Sequence, residues 1–172
     1  LTSLSEELPA DRFLRIHKSY VIALNKVKSI EGNRIQIQSY TIPIGVGDVK
    51  RKGKDITIVG VQKMVLTALD AAEQLAKKGI NAEIIDPRSY SPIDIDLICE
   101  SVDKTGQLLI VDESHPRCSI ASDIAGMVAD RAFSSLKGPI KTLTGLHTPV
   151  PFSPPLEDHF IPSIENVMDY AI

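Results

Sequence analysis

Between residues 54 and 118 the apolar positions switch repeatedly between the period of a strand and that of a helix. Lys54-Asp55-Ile56-Thr57-Ile58-Val59-Gly60-Val61 is a short run rich in β-branched residues. Met64 to Lys78 then sets Val65, Leu69, Ala72 and Ala76 on one stripe before Gly79. This order predicts a strand, a helix and a glycine stop. Asn81-Ala82-Glu83-Ile84-Ile85-Asp86 and Gln107-Leu108-Leu109-Ile110-Val111-Asp112 repeat the strand pattern, with helical stretches between and after them. Strands this apolar, alternating with helices, imply an α/β fold with a mostly parallel sheet and helices on both faces.

The connecting segments carry their own signals. Ser91, Pro92 and Asp94 suit an N-cap, a first helical position and a capping-box variant for a helix carrying Leu97, Ile98, Ser101 and Val102, which Gly106 ends. Ser119 is placed to cap a helix from Ile120 to Leu136, in which Ile124, Met127, Val128 and Phe133 make the surface apolar nearly all round, as in a helix buried on more than one side. Gly138-Pro139 breaks it, Ile140 to Thr144 forms a further strand, and 145 to 162 is a proline-rich loop. Pro162-Ser163 starts a terminal helix through Val167, Met168 and Tyr170.

Residues 1 to 45 are patterned differently. Leu4, Leu8 and Pro9 close a short helix or turn, Arg12 to Leu24 alternates only in part, and Val27 to Ile30 with Arg34 to Gln38 reads as a β-hairpin about Gly32-Asn33. This predicts two units: a small β-rich segment over 1–45 and an α/β domain over 46–172, with Lys50-Arg51-Lys52-Gly53-Lys54 as a solvated lead into the first sheet strand.

Composition narrows the function. A chain of 172 residues that is 43% hydrophobic can bury a real core, and a net charge of −3 argues against a molecule built to coat nucleic acid or an anionic membrane. No apolar run is long enough to span a bilayer, so a membrane role is not expected. Cys99 and Cys118 have no metal-ligand spacing and read as reduced thiols of a cytoplasmic protein. Leu1 is not an initiator methionine, so a fragment or processed product is expected.

The candidate chemistry lies at strand ends. No glycine-rich phosphate loop follows the first strand. Arg88 leaves the carboxyl end of the second, where it can meet a ligand or tie down its own loop through carbonyls or a carboxylate such as Asp94. The third delivers Asp112-Glu113-Ser114-His115-Pro116-Arg117-Cys118-Ser119, in which His115 and Arg117 are the site candidates. Neither a third orienting group nor an oxyanion site is evident beside its Ser, His and Cys, so catalysis is not expected there.

Two resemblances add to this. Phe13-Leu14-Arg15-Ile16-His17-Lys18-Ser19-Tyr20-Val21-Ile22, with Ile30-Glu31-Gly32-Asn33 and Ile42-Pro43-Ile44, resembles the second half of a LytTR DNA-binding domain. That resemblance implies that Arg15, His17 and Lys18 lie near DNA. The order of Thr41-Ile42-Pro43-Ile44-Gly45, Asp86-Pro87-Arg88-Ser89, Lys104-Thr105-Gly106, Val111-Asp112-Glu113 and His147-Thr148-Pro149-Val150-Pro151-Phe152 resembles a second family. It is the C-terminal, transketolase-like domain of the beta subunit of thiamine-dependent 2-oxo acid dehydrogenases of pyruvate, branched-chain and acetoin types. The resemblance implies a parent enzyme that uses thiamine pyrophosphate and magnesium, neither held by this chain, and an α2β2 heterotetramer or a homo-oligomer. Its expected partners are the alpha subunit, a second beta subunit and the dihydrolipoyl acyltransferase core. It also implies docking on that core near Lys137, where many relatives carry an aspartate, and at the carboxylate of Ile172. The rival reading is a LytTR-type regulator with an α/β dimerisation domain.

Overall fold

In a computed structural model the residues described are 13–17, 20–23, 27–31, 34–37 and 40–172; before residue 43 the description is of strand backbone, with side-chain burial only at Val27 and Ser29. Leu4, Leu8, Pro9, Lys18 and the Gly32-Asn33 turn lie outside the described residues. Arg12 to Leu24 resolves into two strands, β1 (Phe13–His17) and β2 (Tyr20–Ala23), paired antiparallel. The expected hairpin is present as β3 (Val27–Glu31) and β4 (Arg34–Ile37), and β5 (Tyr40–Pro43) adds to it to give a three-stranded sheet.

The main sheet has five strands: β6 (Asp48–Arg51), β7 (Ile56–Gly60), β8 (Ala82–Asp86), β9 (Leu108–Val111) and β10 (Lys141–Leu143), in spatial order β10-β9-β7-β8-β6. All neighbours are parallel except β6, which runs antiparallel to β8. Around the sheet lie α1 (Met64–Lys77), α2 (Ile95–Thr105), α3 (Ile120–Arg131), α4 (Pro154–Phe160) and α5 (Ile164–Ala171).

Alternation along the central strands sorts the core into two layers. Ile56, Ile58, Ile84, Leu109 and Val111 point towards α1 and α5, where they meet Met64, Ala68, Leu75, Val167 and Met168. Val59, Ile85, Leu108 and Ile110 point the other way, onto Ile98 and Val102 of α2 and Ile124 and Val128 of α3. Both faces are covered, and every residue of β7, β8 and β9 is buried. Hence these strands read as continuous apolar runs.

Several expectations are corrected. The basic run is no solvated lead: Asp48–Arg51 is an edge strand, with a register shift between Val49 and Arg51 and the Arg51 guanidinium donating to the Ala82 carbonyl at 2.5 Å. Charge on an edge strand deters further pairing, so a basic strand is stable there. The buried stripe of α1 is Met64, Ala68, Ala71, Ala72 and Leu75 with Val65, and Leu69 and Ala76 only flank it.

The N-cap of α2 is Asp94, not Ser91: its carboxylate accepts from the Leu97 N–H at 3.2 Å and from Gly47 N–H at 2.9 Å. Ser89 Oγ meanwhile donates to the Pro92 carbonyl and accepts from Gly45 N–H, which fixes 89–92 as a loop.

Ser119 does cap α3, but the helix ends at Arg131 and a 3-10 turn covers Phe133–Ser135. It buries one face, Ala121, Ile124 and Val128, and leaves Phe133 74% exposed, so the expected all-round burial does not occur within this chain. Residues 145–162 are not all loop, because Pro154 and Pro155 open α4 at positions where a missing N–H costs nothing. Ser163 caps α5 through a capping box with Asn166, and Tyr170 faces solvent.

Candidate functional site

The carboxyl ends of β8 and β6 meet in a charged corner. Arg88 has a left-handed backbone (φ 57°), so its N–H turns back to Asp86 Oδ1 at 2.9 Å while its Nη2 donates to Asp48 Oδ2 at 2.7 Å. Lys50 Nζ reaches the same Asp48 oxygen at 2.7 Å. The Lys50 hydrogen bond, helped by Arg88 and opposed by partial burial, holds the Asp48 carboxyl below the usual aspartate value. Arg88 therefore ties its loop to the edge strand, and its carboxylate partner is Asp48, with Asp94 engaged elsewhere. Only the Arg88 signal was legible in the sequence; Asp48 was hidden inside a segment taken as a lead.

At the end of β9 the acid, base and thiol are separately engaged. Asp112, 1% exposed, accepts from both the N–H and the Oγ of Ser114, at 3.0 and 2.5 Å. His115 Nδ1 lies 3.3 Å from the Leu146 carbonyl, and its ring sits edge-on to His147 and Phe160 with centroids 6.2 and 6.0 Å apart. Gly145 N–H donates to the Ser114 carbonyl, and a side chain at Gly145 would meet Phe160 at 2.6 Å. These contacts make His115 a strut that holds the segment after β10. Arg117 and Cys118 are exposed, and Cys99 is half-buried with burial raising its thiol; both cysteines are free.

Glu113 was not singled out by the sequence. Half-buried beside Gly145, its carboxylate has no hydrogen bond within the described residues. Burial raises it above the usual glutamate value, Lys63 opposes this, and Asp112 and Glu157 add to it.

A buried polar network lies beneath α2. Glu83 Oε1 accepts from Ser101 Oγ at 2.6 Å, while Oε2 accepts from Lys104 Nζ and from Gly53 N–H. Thr57 Oγ1 lies 2.7 Å from Ser101 Oγ and 2.8 Å from Thr105 Oγ1. Because Ser101 gives its single proton to Glu83, it accepts from Thr57, and Thr57 in turn accepts from Thr105. The hydroxyls thus point in sequence at the carboxylate. Burial works to raise Glu83, but hydrogen bonds from Lys104, Ser101 and Gly53 outweigh it and hold the group below its ordinary value. A glutamate inside an otherwise apolar strand was the sequence signal for this network.

Lys137 and Ile172 lie at the opposite end of the sheet from these strand tips. Lys137 N–H donates to the Gly106 carbonyl at 2.8 Å, and its stem covers Gly106 at the entry to β9. Lys141, which opens β10, donates to the Tyr170 carbonyl at 2.9 Å and so brings the end of α5 to the same edge. Ile172 is 68% exposed there. Arg15 and His17 are in β1, but their side chains, like Lys18 as a whole, lie outside the described residues. Among the described residues no group of three or more His, Cys, Asp or Glu could hold a metal, and no helix is long and apolar enough to cross a membrane.

A five-stranded mixed sheet covered on both faces, with strand tips occupied by structural contacts and exposed apolar segments at its rim, defines an α/β domain of the transketolase-like class. The family model for the transketolase C-terminal domain matches residues 45–167, and the chain belongs to that family. A second model, the LytTr DNA-binding domain, matches residues 1–56.

The chain is 53% identical over 133 residues to the acetoin:2,6-dichlorophenolindophenol oxidoreductase subunit beta of Bacillus subtilis, covering 77% of this chain and 39% of that protein. Its Cupriavidus necator counterpart is 52% identical over 129 residues, 75% of this chain and 38% of the relative. The pyruvate dehydrogenase E1 component subunit beta of B. subtilis is 37% identical over 153 residues, 88% and 47% respectively. The chain therefore spans roughly two-fifths of the length of these curated relatives and is homologous to the beta subunits of acetoin and pyruvate dehydrogenases. Among solved structures, a split-gene transketolase described as an inactive beta4 tetramer superposes with a TM-score of 0.61 at 29% identity, over 74% of this chain and 40% of that one.

Proposed function

We propose that residues 46–172 are the assembly domain of the beta subunit of a thiamine-dependent dehydrogenase of acetoin or pyruvate type. The full complex would carry out the oxidative reaction, and this chain alone would not be catalytic. The single observation that carries the reading is the 53% identity to an acetoin oxidoreductase beta subunit across the whole α/β unit. The boundary near residue 45 is supported by β5 lying in a separate three-stranded sheet while β6 joins the main one.

Thiamine pyrophosphate and magnesium are the cofactors of such a parent enzyme, and the residues described here do not fit them. The buried carboxylate of Glu83 is already saturated by Lys104, Ser101 and Gly53, and no acidic cluster fit for a metal occurs among the described residues. The strand-tip residues Arg88, His115 and Arg117 are accordingly given positional roles.

Docking to a dihydrolipoyl acyltransferase core is assigned to the surface around Lys137 and Ile172, which the fold brings to one edge at the amino ends of β9 and β10. The alpha subunit and a second beta subunit are the remaining partners. The test is co-purification of the 172-residue chain with an acyltransferase core. Capture is expected, and deleting Ile172 alone should abolish it without changing the thermal midpoint, since that residue is exposed. Capture that survives the deletion would overturn the docking assignment.

The LytTr match over residues 1–56 favours a second reading, DNA binding through Arg15, His17 and Lys18. It requires a gel shift that weakens steeply with salt and is lost in Lys18→Ala.

A further inference from the structure

The segment after β10 presents its apolar side chains outward. Leu146 is 49% exposed, Val150 57%, Phe152 105% and Leu156 57%, while Phe160 turns inward onto His115. Four prolines, Pro149, Pro151, Pro154 and Pro155, stiffen this strip, and it is fastened at its root by His115 to the Leu146 carbonyl and by Gly145 N–H to Ser114. An ordered run of this kind loses little entropy when it is covered, and exposed apolar surface of this kind marks an association site.

The charges beside the strip are of both signs and unspent. Lys63, Arg117, Glu113, Glu157 and Asp158 form no ion pair among the described residues, although every other cluster of charge described above is paired. A surface that carries apolar groups together with unpaired acids and bases is complementary to itself about a two-fold axis, where residue i of one copy meets residue j of the other and the reverse. A purely acidic rim would instead call for a basic partner. We propose that the strip of Leu146, Val150, Phe152 and Leu156 is the contact between two copies of this chain, with the Glu113 carboxylate of each copy receiving a cation, Lys63 or Arg117, from the other. This deepens the assembly reading above, on which it rests, by assigning a surface and a charge pair to the beta–beta contact.

The half-burial of Glu113 accords with this, because a carboxylate set between Gly145 and α4 with no hydrogen bond of its own gains most from a cation delivered by a partner. The test is sedimentation velocity of the full 172-residue chain across a concentration series. A reversible dimer is expected for the wild type. Phe152→Ser and Leu156→Ser should each weaken it by about tenfold or more, as an anchor at the centre of an interface does. Both side chains are exposed, so circular dichroism and the thermal midpoint should be unchanged. Glu113→Gln should weaken the dimer as well.

A wild type that stays monomeric, or a dimer indifferent to Phe152→Ser and Leu156→Ser, would overturn the assigned surface; indifference to Glu113→Gln would overturn the charge pair. Capture by the acyltransferase core in those cases would leave the broader assembly reading standing, whereas loss of capture with an intact dimer would sink that reading alone.

Discussion

Gly53→Val is expected to destabilise the α/β unit by about 3 kcal/mol, read as a lowered urea midpoint at unchanged slope. A Cβ at Gly53 would stand 2.2 Å from the Ala82 carbonyl carbon and 2.3 Å from the Glu83 nitrogen, both backbone atoms of β8. Neither can yield readily. β8 is hydrogen-bonded to β7 on one side and to β6 on the other, and Gly53 sits in the connection between those two strands. Moving Gly53 away would also withdraw its N–H from Glu83 Oε2. Gly126→Ala is the matching control: it lies in α3 with nothing within 4 Å of the added carbon and should be neutral or gain up to about 1 kcal/mol. Equal midpoints for the two variants would show that the β6–β7 connection is not wedged against the sheet.

Lys104→Met is expected to cost about 2 kcal/mol near neutral pH, because it leaves the buried Glu83 carboxylate without its cation. The figure is kept low because the lysine side chain is itself 47% exposed and its charge is partly screened. The pH dependence is the sharper readout. In the wild type the folded-state pKa of Glu83 lies below the ordinary 4.5, so its contribution is fully present above that value and is lost as pH falls through the folded pKa. With the Lys104 hydrogen bond gone, burial becomes the dominant influence and raises the group. The folded state then binds the proton more tightly than the unfolded chain, and this group's contribution grows on acidification. Thermal midpoints of the two proteins should therefore converge between pH 7 and pH 4, with any gap that stays constant across that range counting against the network.

The parts of the fold that the sequence made legible are those set by local period and end signals. β7, β8 and β9 carry β-branched runs buried on both faces, Gly79 and Gly106 adopt positive φ at helix ends, and Ser119 and Ser163 cap by the expected geometry. The parts that were not legible depend on distant residues. β6 reads as a basic linker because its stability comes from pairing with β8 and from the Asp48–Arg88 bond, 40 positions apart. Asp94 displaced Ser91 as the cap of α2 because it also serves the Gly47 N–H. The apolar character of α3 suggested burial on several sides, yet within one chain only the face of Ala121, Ile124 and Val128 has anything to meet.

The strand-tip residues followed the same division. Arg88 and His115 could be named from their place after a strand, but their partners, Asp48 and the Leu146 carbonyl, come from segments remote in the chain. Glu113 carried no pattern at all. Its interest arises only when Gly145, Lys63 and Glu157 are brought around it.

The central claim is that this α/β unit works by binding other subunits. Its most direct test is a calorimetric titration of the chain with the isolated subunit-binding domain of a dihydrolipoyl acyltransferase. Saturable binding that disappears when Ile172 is removed is the predicted result. No heat of binding, together with turnover of acetoin or a 2-oxo acid by the chain on its own, would contradict it.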